Sequence, residues 1–146
     1  VVWAAGQFLH HFQVAVHHWG REQELLADRA GAEVAGPELF MQALLRAIAL
    51  GGVVDALLHE CGGQGLLAAL PRHLQRVPLR LDEDVLGLTM PHPFDSHPPL
   101  AARLDNLRVR LDGALLQAAM RQPGDHDRQW FNQLCGGVVE AERQGL

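Results

Sequence analysis

The sequence contains no lysine and no tyrosine, and it has only two cysteines, Cys61 and Cys135. The cysteines are far apart and do not form a CxxC pair. Their separation excludes a disulfide framework and a cysteine zinc knuckle, and it favours a reducing compartment. The twelve arginines are scattered among 17 acidic residues, which gives a net charge of −5 and no basic stripe. We therefore expect no nucleic-acid partner.

Aromatic residues are also scarce, at 5% of 146 residues, whereas leucine and alanine dominate a composition that is 48% hydrophobic. This balance favours helices over sheet. The length suits one compact domain and is too short for two separate cores. We predict a single all-α domain over residues 1–146, built as an irregular array of five to seven helices.

The chain shows no secretory signal segment, and it begins with Val rather than Met, which suggests a piece of a longer protein. Residues 1–16 are apolar but include His10, His11 and Gln13. They fall short of the roughly 20 apolar residues that a bilayer crossing needs. We expect membrane contact only through segments outside this chain.

Apolar spacing and breaker residues predict the helices in the first half of the chain. The first helix covers about residues 2–34, with a possible interruption at Gly20. The second covers about residues 37–50, and helical spacing resumes after Gly51 and Gly52 as far as His59. A short helix over residues 66–75 is kinked or broken at Pro71.

In the second half, residues 78–93 are expected to form a loop, with one short strand as the alternative. Pro98 and Pro99 then open the clearest amphipathic helix, which carries a leucine repeat. Another helical segment, residues 115–120, ends before Pro123. Asp127 can cap a last helix. The leucines of the repeat are Leu100, Leu104, Leu107 and Leu111.

The nine histidines do not form a metal-binding motif by their spacing. His59-Glu60 begins like the HExxH helix of zinc enzymes, but Gly63 stands where the second histidine must lie. His18 and Glu22 lie one turn apart and could chelate an ion, although surface polarity is the simpler interpretation. A further alternative is a complete chain whose dimer builds its own metal site from histidine pairs, and stoichiometric metal in the pure chain would indicate it.

Two segments have residue patterns that suit chemistry. In the first, Glu24 and Asp28 lie one helical turn apart, so both carboxylates point the same way, and Ala27 leaves room beside them. Glu24 suits a cation, and Asp28 suits an arginine or a metal-bound histidine. The alternative is an exposed acidic helix in which Arg21 and Arg29 pair locally.

In the second segment, His97 precedes Pro98 and a rigid helix start, and Arg103 follows one to two turns later. Proline restricts the preceding backbone to extended conformations, so the imidazole is held in place. The alternative is a proline-started helix with a solvated histidine.

Together the two segments resemble a known family. Residues 24–28 match its E-x-x-A-D element, with Arg21 three residues before the glutamate, and residues 97–103 match its H-P-P-L-x-x-R element. The ordered pair is similar to the HtpX-like zinc metallopeptidases of metallopeptidase family forty-eight, which also includes the CAAX prenyl endopeptidases. The resemblance covers about residues 15–111.

The resemblance implies zinc-dependent endoproteolysis of protein or peptide substrates. It assigns Glu24 as the third zinc ligand and Asp28 as a residue that orients the site through Arg103. It places His97 near the substrate carbonyl, where the ring could stabilise an oxyanion. It also implies the C-terminal half of a zincin-like domain in residues 1–111, followed by a helical extension over 112–146.

One departure limits what this chain can do. The family's HExxH helix precedes the glutamate element, and no such motif precedes Glu24 here. Catalytic zinc normally needs three protein ligands, so we expect no zinc and no activity in this chain alone. We expect a soluble domain at the cytoplasmic face of a membrane and, because removal of the zinc-binding helix would expose apolar surface, a homo-oligomer. The alternative is a non-catalytic helical interaction module.

Overall fold

The computed structural model describes residues 2–61, 65–81 and 97–144. Within these ranges the chain forms six helices and no strand, which confirms the all-α prediction and the expected helix number. The helices are α1 Val2–Ala35, α2 Pro37–Cys61, α3 Leu66–Arg76, α4 Leu100–Leu107, α5 Gly113–Ala119 and α6 Asp125–Gln144.

The first two helices are longer and less interrupted than the glycine positions indicated. Helix α1 continues through Gly20, and α2 continues through Gly51 and Gly52. Gly36 separates the two helices with a φ of 86°, a left-handed conformation that glycine adopts without strain. Pro37 then occupies the first position of α2, where its missing N–H costs nothing.

Helix α3 contains Pro71 and continues beyond it to Arg76, so the expected break at this proline is wrong. Residues 78–81 follow without helical structure, in agreement with the predicted loop. The rest of that predicted segment, including its possible short strand, lies outside the described residues.

Helix α4 is shorter than the leucine repeat predicts. It ends at Leu107 because Arg108 takes a left-handed conformation, with a φ of 55°. The N–H of Arg108 then bonds to the carbonyl of Asp105, and that of Val109 bonds to Leu104, which closes the helix end. Leu111 therefore lies outside the helix and is 36% exposed.

Aspartates stabilise the starts of the last two helices. The Asp112 side chain accepts the N–H of Leu115 at 2.8 Å, as an N-cap of α5 does. In α6, Asp127 lies inside the first turn and accepts the N–H of Gly124 at 2.9 Å. Asp127 thus caps the helix from its third position rather than from the residue before it.

Contacts between backbone positions group the chain into two units. The first comprises Val1–Ala43 and Asp82–Leu115, and the second comprises Leu44–Leu81 and Leu116–Leu146. The prediction of a single folding domain stays a prediction.

In the first unit, α1 packs against α4. Gly31 allows the ring of Phe40 to approach α1 closely, because a Cβ at this position would lie 2.3 Å from a ring carbon. The buried apolar side chains of this unit are Ala32, Met41, Leu100, Leu104 and Leu115.

In the second unit, α3 packs against α6. One buried cluster of this unit is formed by Ala49, Leu74 and Leu79. Partly buried side chains surround these three, namely Leu50, Val53, Leu70, Leu81 and Met120. Leu45, Leu57 and Ala119 are also buried.

Candidate functional site

Asp28 and Arg103 form a buried ion pair between α1 and α4. The Arg103 Nε donates to Asp28 Oδ2 at 2.8 Å, and Nη2 donates to Oδ1 at 2.6 Å. Both carboxylate oxygens are therefore engaged by one guanidinium, in the paired geometry that arginine forms best. The Asp28 side chain is only 2% exposed, so the alternative of an exposed acidic helix face is wrong for this residue.

Glu24 and His97 meet beside this pair. The Nδ1 of His97 lies 2.5 Å from Glu24 Oε1, and Arg103 Nη1 lies 3.6 Å from Glu24 Oε2. The Glu24 side chain is 29% exposed, and that of His97 is 75% exposed. The structure thus brings together all four residues that the two sequence segments singled out, with the aspartate inside and the histidine at the surface.

The surroundings of Arg103 favour its charged form. The hydrogen bond to Asp28 is the largest influence that raises the pKa of the Arg103 guanidinium, and the negative charges of Asp28 and Glu24 act in the same direction. Burial opposes them. The guanidinium is consequently a permanent cation between two carboxylates, and it can neutralise one while steadying the other.

Asn106 is a positioning residue that the sequence analysis missed. Its Nδ2 donates to the carbonyl of Leu25 at 2.8 Å, and its Oδ1 accepts a hydrogen bond from Arg29 Nη1 at 3.0 Å. Asn106 follows Arg103 by three residues, so both lie on the same face of α4. That spacing was the available signal. The alternative interpretation had Arg29 pairing locally, whereas the structure shows this contact between Arg29 and the Asn106 amide.

The residues described here do not by themselves fit a zinc ion. Within residues 2–61, 65–81 and 97–144, no group of three or more histidine, cysteine, aspartate or glutamate side chains is placed to hold a metal. Asp28 has both oxygens bound to Arg103, which leaves Glu24 as the carboxylate able to ligate. One such ligand falls short of the three that catalytic zinc normally takes.

A helix-borne carboxylate next to an imidazole, supported by a buried arginine pair, is the kind of site that a metallopeptidase domain would contain. The family model described as Peptidase family M48 matches residues 2–111, more than half of the chain. The chain therefore belongs to Peptidase family M48, a family that is in general zinc-dependent. The match does not distinguish the HtpX-like subtype, which stays a prediction. No curated protein and no solved structure matched the chain.

One described helix is long and apolar enough to cross a membrane by length and composition. It is the segment Pro37–Glu60, which has a mean hydropathy of 1.6. In its most apolar stretch of 18 residues, 22% is buried. No sequence pattern above assigned this segment to a membrane. Proteins of this family are typically membrane-associated.

Proposed function

We propose that this chain is the C-terminal helical part of a membrane-associated, HtpX-like zinc metalloendopeptidase, and that Glu24 is one of its zinc ligands. Family membership supports the peptidase class. The single observation that carries the residue assignment is the position of Glu24, which lies between His97 and the buried Asp28–Arg103 pair.

The two carboxylates differ in what they can do. Asp28 is buried and gives both oxygens to Arg103, so its role is to hold α4 against α1. Glu24 is more exposed, and its carboxylate is steadied from one side by His97 and from the other by Arg103. A partly exposed carboxylate held in one orientation is what a metal ligand requires, because fixed ligands keep the coordination geometry. Zinc bound there would supply Lewis-acid chemistry at a peptide carbonyl.

His97 is suited to contact the substrate. Its Nδ1 is engaged by Glu24, and its side chain is 75% exposed, so Nε2 is the ring nitrogen left to meet a peptide. A histidine ring donates from both nitrogens only when it is protonated. In this form, Nε2–H can donate to the carbonyl oxygen as negative charge develops on it.

The remaining metal ligands have to come from outside these residues. The family resemblance assigns them to an HExxH helix, which also carries the general base, and the sequence has no such motif before Glu24. We therefore propose that residues 1–146 alone neither retain zinc nor hydrolyse peptides.

The exposed face of α1 supports a further part of this proposal. Residues 2–20 contain no charged side chain apart from histidines, and several large apolar groups are exposed there. We propose that the missing zinc-binding helix covers this face in the intact protein, and that the isolated chain covers it by forming homo-oligomers. The exposed groups are Trp3, Phe8, Leu9, Phe12, Val16 and Trp19.

We propose the cytoplasmic face of a membrane as the location, with the anchor in segments outside this chain. The apolar composition of α2 leaves that helix as a second candidate for the anchor. Its Arg46, however, donates to the carbonyls of Ala119 at 2.9 Å and Arg121 at 2.8 Å. These hydrogen bonds favour a packing role for α2, since an anchor in lipid would lose them.

The test is a purification of the longest natural chain that contains these residues, beside the 146-residue chain. The long chain is expected to cleave an unfolded protein substrate, to lose this activity to a zinc chelator, and to regain it with added zinc. The short chain is expected neither to cleave the substrate nor to retain zinc. A long chain that holds no zinc and cleaves nothing would overturn the proposal and favour the non-catalytic interaction module.

A further inference from the structure

A cleft in the second unit is lined by apolar and by charged side chains, none of which belongs to the Glu24 site. Its volume is about 380 Å³, within the range of about 300 to 1,000 Å³ that small-molecule pockets occupy. One wall is apolar and comes from α2, α3 and α6. Its side chains are Leu50, Leu70, Pro71, Leu74, Trp130 and Phe131.

The other wall carries the charges. Its side chains are Arg46, Arg121, Asp127 and Arg128. Arg121 pairs with Asp127 at 2.7 Å, and Arg128 pairs with the exposed Asp125 at 2.5 Å. These two arginines are thus balanced by carboxylates.

Arg46 is held differently from the other two arginines. Its Nη1 donates to two backbone carbonyls, those of Ala119 and Arg121. Carbonyl groups fix the guanidinium but carry no net charge, so these partners leave the positive charge of Arg46 in place. Three arginines and one aspartate line this wall. With Asp125, the partner of Arg128, also counted, an excess of one positive charge remains. The positive charge of Arg46 contributes to lowering the pKa of Asp127.

We propose that this cleft binds an aliphatic carboxylate, with the carboxylate at Arg46 and the chain along the leucine, proline and aromatic wall. A guanidinium that is already oriented pairs strongly with a carboxylate, and the apolar wall gains from burying hydrocarbon. The separation of the walls favours an aliphatic chain over a peptide, because a peptide carries polar groups along its whole length and would leave them against the apolar wall.

The experiment uses Trp130 as a reporter on the cleft wall. The chain has three tryptophans, and the variant W3F/W19F leaves Trp130 alone, at the cost of two exposed side chains in the other unit. Its fluorescence is titrated with decanoate below the micelle concentration, with 1-decanol, and with a leucine tripeptide that has a free carboxylate. Decanoate is expected to give a saturable change and to bind at least about tenfold more tightly than either competitor.

Substitution of the arginine locates the carboxylate. In the same background, R46Q is expected to weaken decanoate about tenfold and to leave 1-decanol unchanged, whereas R110Q, a change at an exposed arginine of the first unit, changes neither. Thermal unfolding of R46Q shows whether weaker decanoate binding results from misfolding. If it does, the comparison of decanoate, 1-decanol and the tripeptide on the chain that keeps Arg46 tests the proposal. Equal binding of decanoate and 1-decanol, or preference for the tripeptide, would overturn the proposal.

Discussion

Arg103 binds Asp28 through two hydrogen bonds, although 75 residues separate them in the chain. This pair joins α4 to α1 and lies directly behind Glu24, whose second oxygen is 3.6 Å from the same guanidinium. Arg103 thereby contacts two carboxylates, those of Asp28 and Glu24. The buried one anchors a helix, and the more exposed one is available to a ligand.

Removal of Arg103 is expected to destabilise the first unit strongly. The variant R103L leaves the charge of Asp28 buried without its partner, which costs about 3 to 5 kcal/mol in the free energy of unfolding. Urea unfolding measures the loss. The exposed Arg110 provides the control, since R110L is expected to change stability by less than about 0.5 kcal/mol.

A second variant separates the charge effect from simple loss of packing. In the R103L background, D28N removes the unpaired charge and is expected to restore part of the lost stability. If R103L unfolds at the same urea concentration as the unmodified chain, the pair does not join the two helices as described.

The Asp127–Arg121 pair predicts a specific acid dependence. Its hydrogen bond from Arg121, and then that from Gly124, lower the pKa of Asp127 from 3.8 to about 2. Because the folded pKa is depressed, the stabilisation is fully present above the unfolded value near 3.8. It is lost as the pH falls through about 2. Urea unfolding between pH 5 and 2 is expected to show a steeper loss for the unmodified chain than for D127N. Parallel curves would contradict the assignment.

The apolar face of α1 predicts self-association of the isolated chain. Phe8 and Phe12 stack with ring centroids 6.3 Å apart, and both rings are exposed. Sedimentation velocity is expected to show a concentration-dependent oligomer that the double variant F8S/F12S weakens. Val34 on the same helix is 90% exposed, so V34S serves as the control and should leave the oligomer intact. A monomer at all concentrations would argue against this face as an interface.

His97 and Glu24 are expected to fail in different ways in the intact enzyme. H97A is expected to keep most of its zinc, because Arg103 still contacts Glu24. It is expected to lower kcat about a hundredfold, because it removes a donor to the developing oxyanion. Zinc content and steady-state kinetics measured on the same sample decide this. Zinc loss in H97A would mean that the histidine acts through the metal site rather than on the substrate.

Sequence reasoning reached the site because its signals are local. The one-turn spacing of Glu24 and Asp28 and the proline that fixes His97 are both visible in short segments. Their meeting across the chain depends on α1 packing against α4, which no spacing reveals. The family resemblance supplied that link. Asn106 was missed because its three-residue spacing from Arg103 shows a shared helix face but not what that face contacts.

The helix boundaries show where local rules fail. The leucine repeat extends to Leu111, but Arg108 ends α4 in a left-handed conformation that sequence rules assign mainly to glycine. Pro71 and the Gly51-Gly52 pair were expected to interrupt helices that continue through them. Leu57, beyond the glycine pair, and Leu74, beyond the proline, are buried. Burial of apolar side chains on the far side of each interruption offsets the local cost.

The zinc content of two matched glutamate variants tests the central claim most directly. In the longest natural chain that contains these residues, E24Q is expected to reduce bound zinc, measured by elemental analysis after dialysis, to about one tenth of the wild-type content or less. E22Q changes an exposed glutamate of the same helix and is expected to keep full zinc. Equal zinc in E24Q and E22Q would contradict the assignment of Glu24 as a ligand.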